Sequence, residues 1–327
     1  MATRRTVTAE TRVQPRFCGI STFCRYPQIC HVDPENEPVD WAIYGVPFDG
    51  AVTYRPGTRF GPRAIRDASQ YVKPYHLEHA VMVTELLSLA DAGDAPVAPY
   101  SCEKNTELAC EYALKLGDPA HTKLFAVGGD HSIALANIRA THKRFGAPAG
   151  GMAMIHFDAH IDTVDEIWGE KFNHGSVFRR AIEEGLIDPK RMLTIGLRGP
   201  INKADDFQYA LDHGVTIVTC DQLRREGTKR IDDFLKRLGD DPAYMTFDID
   251  SFDPTFAPGT GTPCPGGLTI QEGFALLRSM AGVHLVGADL VEVLPDLDHA
   301  GVTALLASHV MFEILALDAV RVSKGVN

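Results

Sequence analysis

The chain of 327 residues is 45% hydrophobic and 23% charged, and its formal net charge is -11 at pH 7. This composition predicts a soluble globular protein with a sizeable core, and the acidic balance without a basic stripe argues against nucleic acid as a partner. No apolar segment typical of a signal peptide stands at the start, and no run of about 18 apolar residues predicts a membrane span. We therefore expect a cytoplasmic protein that has no membrane partner.

Short apolar runs alternate with amphipathic stretches along the whole chain. The runs that predict strands are Trp41–Val46, Lys123–Val127, Met152–Phe157, Arg191–Gly196, Val215–Thr219, Tyr244–Phe247 and His284–Gly287. The stretches that predict helices are Pro62–Ala68, Thr106–Leu116, Ile133–Phe145, Val177–Glu184, Ile231–Leu238, Ile270–Met280 and Ala304–Ala316. This alternation predicts an α/β protein with a mainly parallel sheet, and the near-continuous apolar strands indicate a sheet covered on both faces.

The chain is predicted to form one domain over residues 39–327, because no linker rich in Pro, Gly or Ser divides it. Residues 1–38 are predicted to form an N-terminal arm that packs on the core or on a neighbouring subunit. In open parallel sheets, ligands bind beyond the carboxyl ends of the strands. Polar residues that directly follow an apolar run are therefore the candidates for a functional site.

Three polar clusters follow predicted strands directly. They read Gly-Gly-Asp-His-Ser over 128–132, Asp-Ala-His-Ile-Asp over 158–162 and Asp-Ile-Asp over 248–250. In extended backbone, side chains alternate faces with period two, so the polar side chains of the second cluster are expected on one side, and likewise those of the third. A single acid after a strand is usually a cap or turn residue, and Asp130 and Asp253 are interpreted in this way.

The acids of these clusters would repel one another, because two charges 4 Å apart interact by about 4 kcal/mol at a near-surface dielectric. A pair of divalent cations would compensate them. The predicted ligands are His131, Asp158, His160, Asp162, Asp248 and Asp250. Imidazoles combined with carboxylates favour Mn²⁺, with Ni²⁺, Co²⁺, Fe²⁺ and Zn²⁺ as alternatives.

Such a pair of ions would bind and deprotonate water, whose pKa falls from about 15.7 to about 7 beside a metal ion. The resulting hydroxide would be the nucleophile, so no Ser, Cys or Lys nucleophile is required. The chain has 7 cysteines at wide spacings, which predicts reduced thiols. Cys264, in a Thr-Pro-Cys-Pro-Gly-Gly loop, is interpreted as a packed loop thiol.

Together with these clusters, the motifs Asn-His-Gly-Ser at 173–176, Ser-Phe-Asp-Pro-Thr-Phe-Ala-Pro-Gly-Thr-Gly-Thr-Pro at 251–263 and Val-Glu-Val at 291–293 resemble the ureohydrolase family. This family includes arginases, agmatinases, guanidinobutyrases and proclavaminate amidinohydrolases. The stretches Gly-Val-Pro-Phe-Asp at 45–49 and Arg-Pro-Gly-Thr-Arg-Phe-Gly-Pro at 55–62 resemble its agmatinase-like branch. The resemblance extends from about residue 40 to residue 316.

The resemblance implies a three-layer α/β/α sandwich and hydrolysis of a C–N bond of a guanidino compound by metal-bound hydroxide. It also implies a Mn²⁺ pair, with Ni²⁺ possible, in homo-oligomers that are often trimers or hexamers. By the same resemblance, one ion would be bound by His131 and Asp162 and the other by His160 and Asp250, with Asp158 and Asp248 bridging the two.

The resemblance further places a proton shuttle or substrate contact at His174 and the residue that holds the guanidinium at Glu292. The second role is physically reasonable, because a guanidinium is planar and cationic and a carboxylate can bind it in bidentate fashion. The leaving amine needs a proton, which Asp162 or His174 could relay. The chain is therefore expected to be a hydrolase of linear amidines.

The loop Val164–Asn173 is expected to overhang the pocket and to read the rest of the substrate. It lacks the Asn- and Thr-rich character of the arginase loop, which disfavours arginine, whereas Asp165, Glu166 or Glu170 could attract the ammonium group of agmatine. Trp168 could instead narrow the pocket for a small guanidine or a biguanide. Agmatine is the preferred substrate, and guanidinobutyrate, guanidinopropionate, free guanidine and a biguanide remain alternatives.

Two other classes of function remain open from sequence alone. The chain could be a partner-dependent subunit of a heteromeric ureohydrolase, although it has the complete predicted ligand set. It could also be a binuclear phosphoesterase or a deacetylase, although a deacetylase of related fold would need fewer ligands. Turnover of guanidino compounds separates these classes.

Overall fold

An eight-stranded sheet organises the computed structural model of the protein, which describes residues 5–10, 12–32, 38–146 and 150–325. Its strands are β1 Trp41–Val46, β4 Leu89–Asp94, β5 Lys123–Gly128, β6 Met152–Phe157, β7 Ile187–Ile195, β8 Thr216–Val218, β9 Ala243–Asp248 and β10 Leu285–Val291. They lie in the order β4-β1-β5-β10-β9-β6-β7-β8, and each neighbouring pair is parallel. A separate antiparallel hairpin pairs β2 Tyr75–His76 with β3 Val81–Met82.

Helices cover both faces of the sheet. They are α1 Gly61–Ser69, α2 Val83–Leu86, α3 Cys102–Ala113, α4 Ala134–Phe145, α5 Val177–Glu183, α6 Gln208–Asp212, α7 Cys220–Glu226, α8 Lys229–Leu238, α9 Ile270–Ser279 and α10 Val302–Ser323. Helices α1, α7, α8, α9 and α10 contribute side chains to the apolar core on one face, and α3, α4, α5 and α6 to the core on the other. The predicted three-layer α/β/α sandwich is confirmed.

The period-two pattern of the strands explains why the sheet is apolar on both faces. In β1, Trp41 and Ile43 pack into the core beneath α1 and α10, whereas Ala42 and Tyr44 pack into the core beneath α3 and α4. All of these side chains are fully buried. A continuous apolar run is therefore required, and this run is the signal by which the sequence predicted the central strands.

Helix α10 is the most apolar helix among the described residues. The stretch His299–Ser323 is long and apolar enough to cross a membrane, but 72% of its most apolar window is buried inside the protein. It contacts α1, α2 and α9 and the strand β10. Its composition is therefore that of a core helix, and it extends beyond the predicted end at Ala316 because its last turns also pack on the core.

Strand β4 was not predicted, because its sequence Leu-Ala-Asp-Ala-Gly-Asp resembles a polar loop. Its central acid, Asp91, is nevertheless only 4% exposed. The guanidinium of Arg66 donates to both oxygens of this carboxylate, at 2.9 and 3.1 Å. An ion pair formed with a distant residue therefore allows an acid in an edge strand, and local sequence cannot reveal that pair.

The described part of the N-terminal arm contacts the same chain at the β4 edge of the sheet. The backbone N–H of Phe23 donates to Asp91 over 2.9 Å, and the phenyl ring is fully buried. In contrast, Phe17 is 91% exposed and Ile20 is 80% exposed. Residues 1–4, 11 and 33–37 of the predicted arm lie outside the described residues. The division at residue 38 and the packing of the arm on a neighbouring subunit stay predictions.

Candidate metal centre

Four consecutive strands in the middle of the sheet, β5, β10, β9 and β6, bring the candidate site residues to one edge. The segments with His131 and with Asp158 to Asp162 follow the carboxyl ends of β5 and β6. Asp248 is the last residue of β9, and Asp250 lies two residues beyond it. Glu292 follows β10 directly. The predicted placement beyond the carboxyl ends of parallel strands is therefore what the topology produces.

Short turns, rather than extended backbone, aim the side chains of the site. Strand β6 ends at Phe157, and Asp162 has a positive φ of 53°. Asp250 lies in a 3-10 turn, Ile249–Ser251, whose cap is Asp248. The period-two argument for these two clusters was therefore wrong in its local geometry, although the residues do converge.

Backbone N–H groups hold two of the carboxylates in place. The N–H of His160 donates to Oδ1 of Asp158 over 2.6 Å, and the N–H of Asp250 donates to Oδ1 of Asp248 over 2.7 Å. Asp130 acts as the cap that the sequence predicted, because its Oδ1 accepts the N–H of Ser132 at 3.0 Å. These bonds fix the carboxylates before any ligand binds.

All six predicted ligands form one cluster. Nδ1 of His131 lies 3.0 Å from Oδ2 of Asp158, 3.0 Å from Oδ2 of Asp162 and 3.3 Å from Oδ2 of Asp248. Nδ1 of His160 lies 3.3 Å from Oδ1 of Asp158 and 3.1 Å from Oδ2 of Asp250. Asp158 thus turns one oxygen to each histidine, and its bridging role between two ions stays a prediction.

The cluster concentrates negative charge in a buried place. Asp158, Asp248 and Asp250 are at most 2% exposed, whereas the side chain of His160 is 43% exposed. Within the described residues, neither Lys nor Arg forms a salt bridge with these carboxylates. Burial raises the pKa of Asp248 well above its ordinary value, and the charges of Asp250 and Asp158 raise it further. Cations are the groups that would relieve this repulsion.

His131 supplies an independent test of a metal site. Its Nδ1 is buried and has no hydrogen-bond partner within the described part of the chain, although carboxylate oxygens surround it. Its Nε2 lies 2.8 Å from the hydroxyl of Thr246. A ring nitrogen that faces a converging set of oxygens, while the other nitrogen is hydrogen-bonded, is typical of a metal-ligating histidine. The residues fit divalent cations.

His156, two residues before Asp158, is a fully buried member of the site that was not predicted from the sequence. Its Nε2 lies 2.9 Å from Oδ2 of Asp158, and its Nδ1 lies 3.2 Å from the hydroxyl of Thr194. The donor atoms of His131, His156 and Asp158 lie within 4.8 Å of one another. The spacing of two residues between His156 and Asp158 could have indicated that both belong to the site, but a histidine inside an apolar strand looks like a core residue.

Glu292 and His174 lie together beside the cluster. Oε1 of Glu292 accepts the backbone N–H of His131 at 2.8 Å and lies 3.0 Å from Nδ1 of His174. Its Oε2 is buried, and no partner for it exists among residues 5–10, 12–32, 38–146 and 150–325. Glu292 has a positive φ of 65°, a backbone conformation that is found at functional sites. The structure therefore leaves one carboxylate oxygen available for a ligand.

His174 is held from its other side by a loop that sequence analysis did not connect with the site. The backbone N–H of Thr53 donates to Nε2 of His174 over 3.1 Å, and the Thr53 hydroxyl lies 2.7 Å from the same nitrogen. Both ring nitrogens of His174 thus contact other residues, Nε2 with Thr53 and Nδ1 with Glu292. A ring with its single proton on Nδ1 fits these contacts, because Nε2 then accepts from Thr53 while Nδ1 donates to Oε1 of Glu292. Burial lowers the pKa of His174, but the hydrogen bond with Glu292 and the charges of Glu292, Asp162 and Asp130 raise it to about 9. These groups therefore favour a second ring proton, which would go to Nε2 and displace the N–H of Thr53.

A pocket of about 190 Å³ opens onto the cluster. Its lining includes His160, Asp162, His174 and Asp248 together with the apolar side chains Val164, Ile167, Pro200, Ile201 and Phe207. Among the acids of the loop Val164–Asn173, Asp165 binds Arg180 at 2.6 Å, and neither it nor Glu166 or Glu170 lines the pocket. The acid that lines this pocket outside the cluster is Asp206, on the loop after β7.

A parallel sheet between two helical layers, with a buried cluster of histidines and aspartates beyond the carboxyl ends of its strands, is typical of metal-dependent hydrolases with a three-layer α/β/α fold. The chain belongs to the arginase family, whose family model matches residues 39–317. The predicted ureohydrolase family with its agmatinase-like branch is confirmed, and so is the expected class of hydrolases that act on C–N bonds of linear amidines. The alternative classes of phosphoesterase and deacetylase are thereby excluded.

Three comparisons illustrate this membership. The solved structure of proclavaminate amidino hydrolase from Streptomyces clavuligerus has a TM-score of 0.86 and 38% identity, covering 94% of this chain and 100% of that chain. The guanidinopropionase of Pseudomonas aeruginosa is 40% identical over 93% of both chains. The agmatinase of Salmonella dublin is 38% identical over 91% of this chain and 93% of its own length.

Proposed function

We propose that the protein hydrolyses a C–N bond of a linear guanidino compound, with agmatine as the substrate and putrescine and urea as the products. The observation that carries the proposal is Oε2 of Glu292, a buried carboxylate oxygen that lacks a partner within the described residues and stands beside the cluster. A cationic group with N–H donors would satisfy both its charge and its hydrogen-bonding capacity. A guanidinium is such a group.

Two divalent cations, Mn²⁺ or alternatively Ni²⁺, would be held by the cluster of His131, Asp158, His160, Asp162, Asp248 and Asp250. When bound, they supply a water molecule whose pKa is lowered to about 7. The arginase family is dependent on a binuclear metal centre, which supports this assignment. The choice of metal rests on the mixed imidazole and carboxylate donor set.

The chain's own residues orient the substrate and manage the protons. Glu292 holds the guanidinium through Oε2, because its Oε1 is already bound by the N–H of His131 and faces Nδ1 of His174. His174 or the carboxylate of Asp162 passes a proton to the leaving amine. Both of these side chains line the pocket.

The pocket wall formed by the loop after β7 supports a substrate with a cationic end. Asp206 uses Oδ2 to accept the backbone N–H groups of Asn202 and Lys203, at 2.7 and 3.0 Å. The guanidinium of Arg198, which also lines the pocket, donates to five backbone carbonyl groups, on Gly196, Asp250, Ser251, Phe252 and Cys264. The N–H groups of Arg198 are therefore occupied by backbone carbonyls, whereas Oδ1 of Asp206 accepts no hydrogen bond from the described residues and can accept from an ammonium group.

Asp206→Asn is expected to lower kcat/KM for agmatine about tenfold, since a loss of about 1.4 kcal/mol of binding corresponds to a factor of ten. The value for guanidinobutyrate should be unchanged or higher, because that substrate ends in a carboxylate. The matched control is Asp165→Asn, whose carboxylate pairs with Arg180 instead of lining the pocket. Equal losses with both substrates would show that Asp206 does not read the end of the substrate.

The reaction itself is tested by release of urea or of an amine from a panel of guanidino compounds, with Mn²⁺ and Ni²⁺ supplied separately. The panel contains agmatine, guanidinobutyrate, guanidinopropionate, free guanidine and a biguanide. Fastest turnover of agmatine supports the proposal. Faster turnover of another member would show that this other compound is the substrate. A folded, metal-loaded protein that is inert on the whole panel would favour a partner-dependent subunit.

We also propose a cytoplasmic homo-oligomer, a trimer or hexamer, in accordance with the family resemblance. The exposed apolar side chains Phe17 and Ile20 of the arm support this proposal, because a second copy would cover them. Light scattering measures the assembly directly against the chain mass of 35.7 kDa. A monomer in that measurement would contradict the homo-oligomer and leave a hetero-oligomer with a second subunit as the alternative.

A further inference from the structure

We propose that Asp289 is a positioning residue, which acts through Thr246 to fix the protonation pattern of the imidazole of His131. Asp289 lies in β10, three residues before Glu292, and is fully buried. It pairs in register with Thr246 of the neighbouring strand β9. The proposal rests on the proposed function only in its assumption that His131 binds a metal ion.

Two hydroxyl groups from β9 meet at this carboxylate. The hydroxyl of Thr246 donates to Oδ1 of Asp289 over 2.6 Å, and the hydroxyl of Tyr244 donates to Oδ2 over 2.6 Å. All three side chains are fully buried. Among residues 5–10, 12–32, 38–146 and 150–325, neither Lys nor Arg pairs with Asp289, and burying such a carboxylate is costly. The two short hydrogen bonds from neutral donors stabilise it.

The donors and acceptors on the Tyr244 side can be assigned without ambiguity. The side-chain amide nitrogen of Asn137 only donates, and it donates to the Tyr244 hydroxyl and to the carbonyl of Ala288, both at 2.8 Å. The Tyr244 hydroxyl accepts from Asn137, so its single proton is free to go to Asp289. Asp289 therefore accepts on this side.

The same logic fixes the proton on His131. The hydroxyl of Thr246 has one proton, and it gives that proton to Asp289. Toward Nε2 of His131, 2.8 Å away, the hydroxyl can then only accept. Nε2 consequently carries the ring proton, and in a neutral imidazole Nδ1 keeps its lone pair.

That lone pair points to the place where a cation would be held. Nδ1 is the atom that faces Asp158, Asp162 and Asp248 at 3.0, 3.0 and 3.3 Å. The chain from Asp289 through Thr246 therefore prepares His131 as a ligand before an ion arrives. Outer partners of this kind orient metal-ligating histidines and contribute about 10- to 100-fold to metal affinity.

The test is the Mn²⁺ affinity of purified Asp289→Asn protein, measured against a competing chelator. Asparagine preserves the shape of the side chain but presents an N–H₂ group, so Thr246 can be forced to accept from it and to donate to Nε2. The wrong ring nitrogen of His131 would then be protonated. We expect a 10- to 100-fold weaker affinity for Mn²⁺.

Asp318→Asn is the matched control, because Asp318 is a second buried carboxylate that accepts from Trp41 and Lys123, each at 2.7 Å. Trp41 and Lys123 begin strands β1 and β5, at the opposite edge of the sheet from the cluster. Asp318→Asn should lower the unfolding temperature of the metal-free protein but leave the Mn²⁺ affinity at the wild-type value. A purely structural role of Asp289 would give the same pattern as this control.

A second pair of variants keeps the test decisive if Asp289→Asn folds poorly. Thr246→Ser retains the hydroxyl and should keep the wild-type affinity, whereas Thr246→Val removes it and should reproduce the loss. Wild-type affinity for Mn²⁺ in Asp289→Asn or Thr246→Val would overturn this proposal but leave the proposed function intact. A wild-type protein that binds no divalent ion would overturn it together with the proposed function.

Discussion

Asp248→Asn is expected to abolish turnover of guanidino compounds, by about a thousandfold or more, while the protein stays folded. Such a loss corresponds to about 4 kcal/mol of transition-state stabilisation. Asparagine can still accept the N–H of Asp250, which holds the local turn. It removes the negative charge of the oxygen that lies 3.3 Å from Nδ1 of His131, and with it a proposed bridging ligand. Steady-state kinetics and metal analysis of the purified variant measure both effects.

Asp248→Asn should also show that the negative charge of Asp248 is needed for activity and not for the stability of the fold. Burial and neighbouring acids raise the pKa of Asp248 well above its ordinary value in the folded chain. A carboxyl group with a raised folded pKa lowers stability at pH values above its unfolded pKa, where it is ionised in the unfolded state. At neutral pH, the unfolding temperature of metal-free Asp248→Asn should therefore be no lower than that of the metal-free wild type. Full activity of this variant would count decisively against the site.

Glu292→Gln is expected to lower kcat about a hundredfold or more with little change in metal content. The glutamine carbonyl can replace Oε1 toward the N–H of His131 and toward His174. The amide nitrogen, however, replaces the available Oε2 and presents N–H donors to a cationic guanidinium. Loss of an interaction that stabilises the transition state typically costs about 10²- to 10³-fold in kcat.

Glu170→Gln provides the control for Glu292→Gln, because Glu170 lies on the loop Val164–Asn173 but does not line the pocket. It should leave kcat, KM and metal content at their wild-type values. Unchanged kinetics in Glu292→Gln would show that this glutamate does not hold the guanidinium. A large loss of metal instead would make Glu292 part of the metal centre.

The sheet and the ligand set could be predicted because both depend on local patterns. Apolar runs such as Met152–Phe157 are required wherever a strand is buried on both faces, and acids placed directly after such runs are difficult to explain otherwise. The convergence of three chain segments followed from the general position of sites in parallel sheets. The orientation of the Asp162 side chain could not be predicted, because the positive φ of this residue depends on its surroundings.

Three of the features that were not predicted from the sequence depend on contacts between distant parts of the chain. The contact between Asp289 and Thr246 exists because β10 inserts between β5 and β9, an order that no local pattern reveals. Thr53 reaches His174, 121 residues away in the chain, through the loop that follows β1. Asp206 lines the pocket because the loop after β7 folds over the edge of the sheet. Long-range contacts of this kind define the substrate pocket, so its selectivity was the least predictable property.

The most direct measurement of the central proposal is the metal content of the active, purified protein before and after treatment with a chelator. Mn²⁺ or Ni²⁺ should be present at two ions for each chain, chelation should abolish urea release, and adding back the ion should restore it. Fully active protein that contains no divalent metal and is insensitive to the chelator would contradict the account.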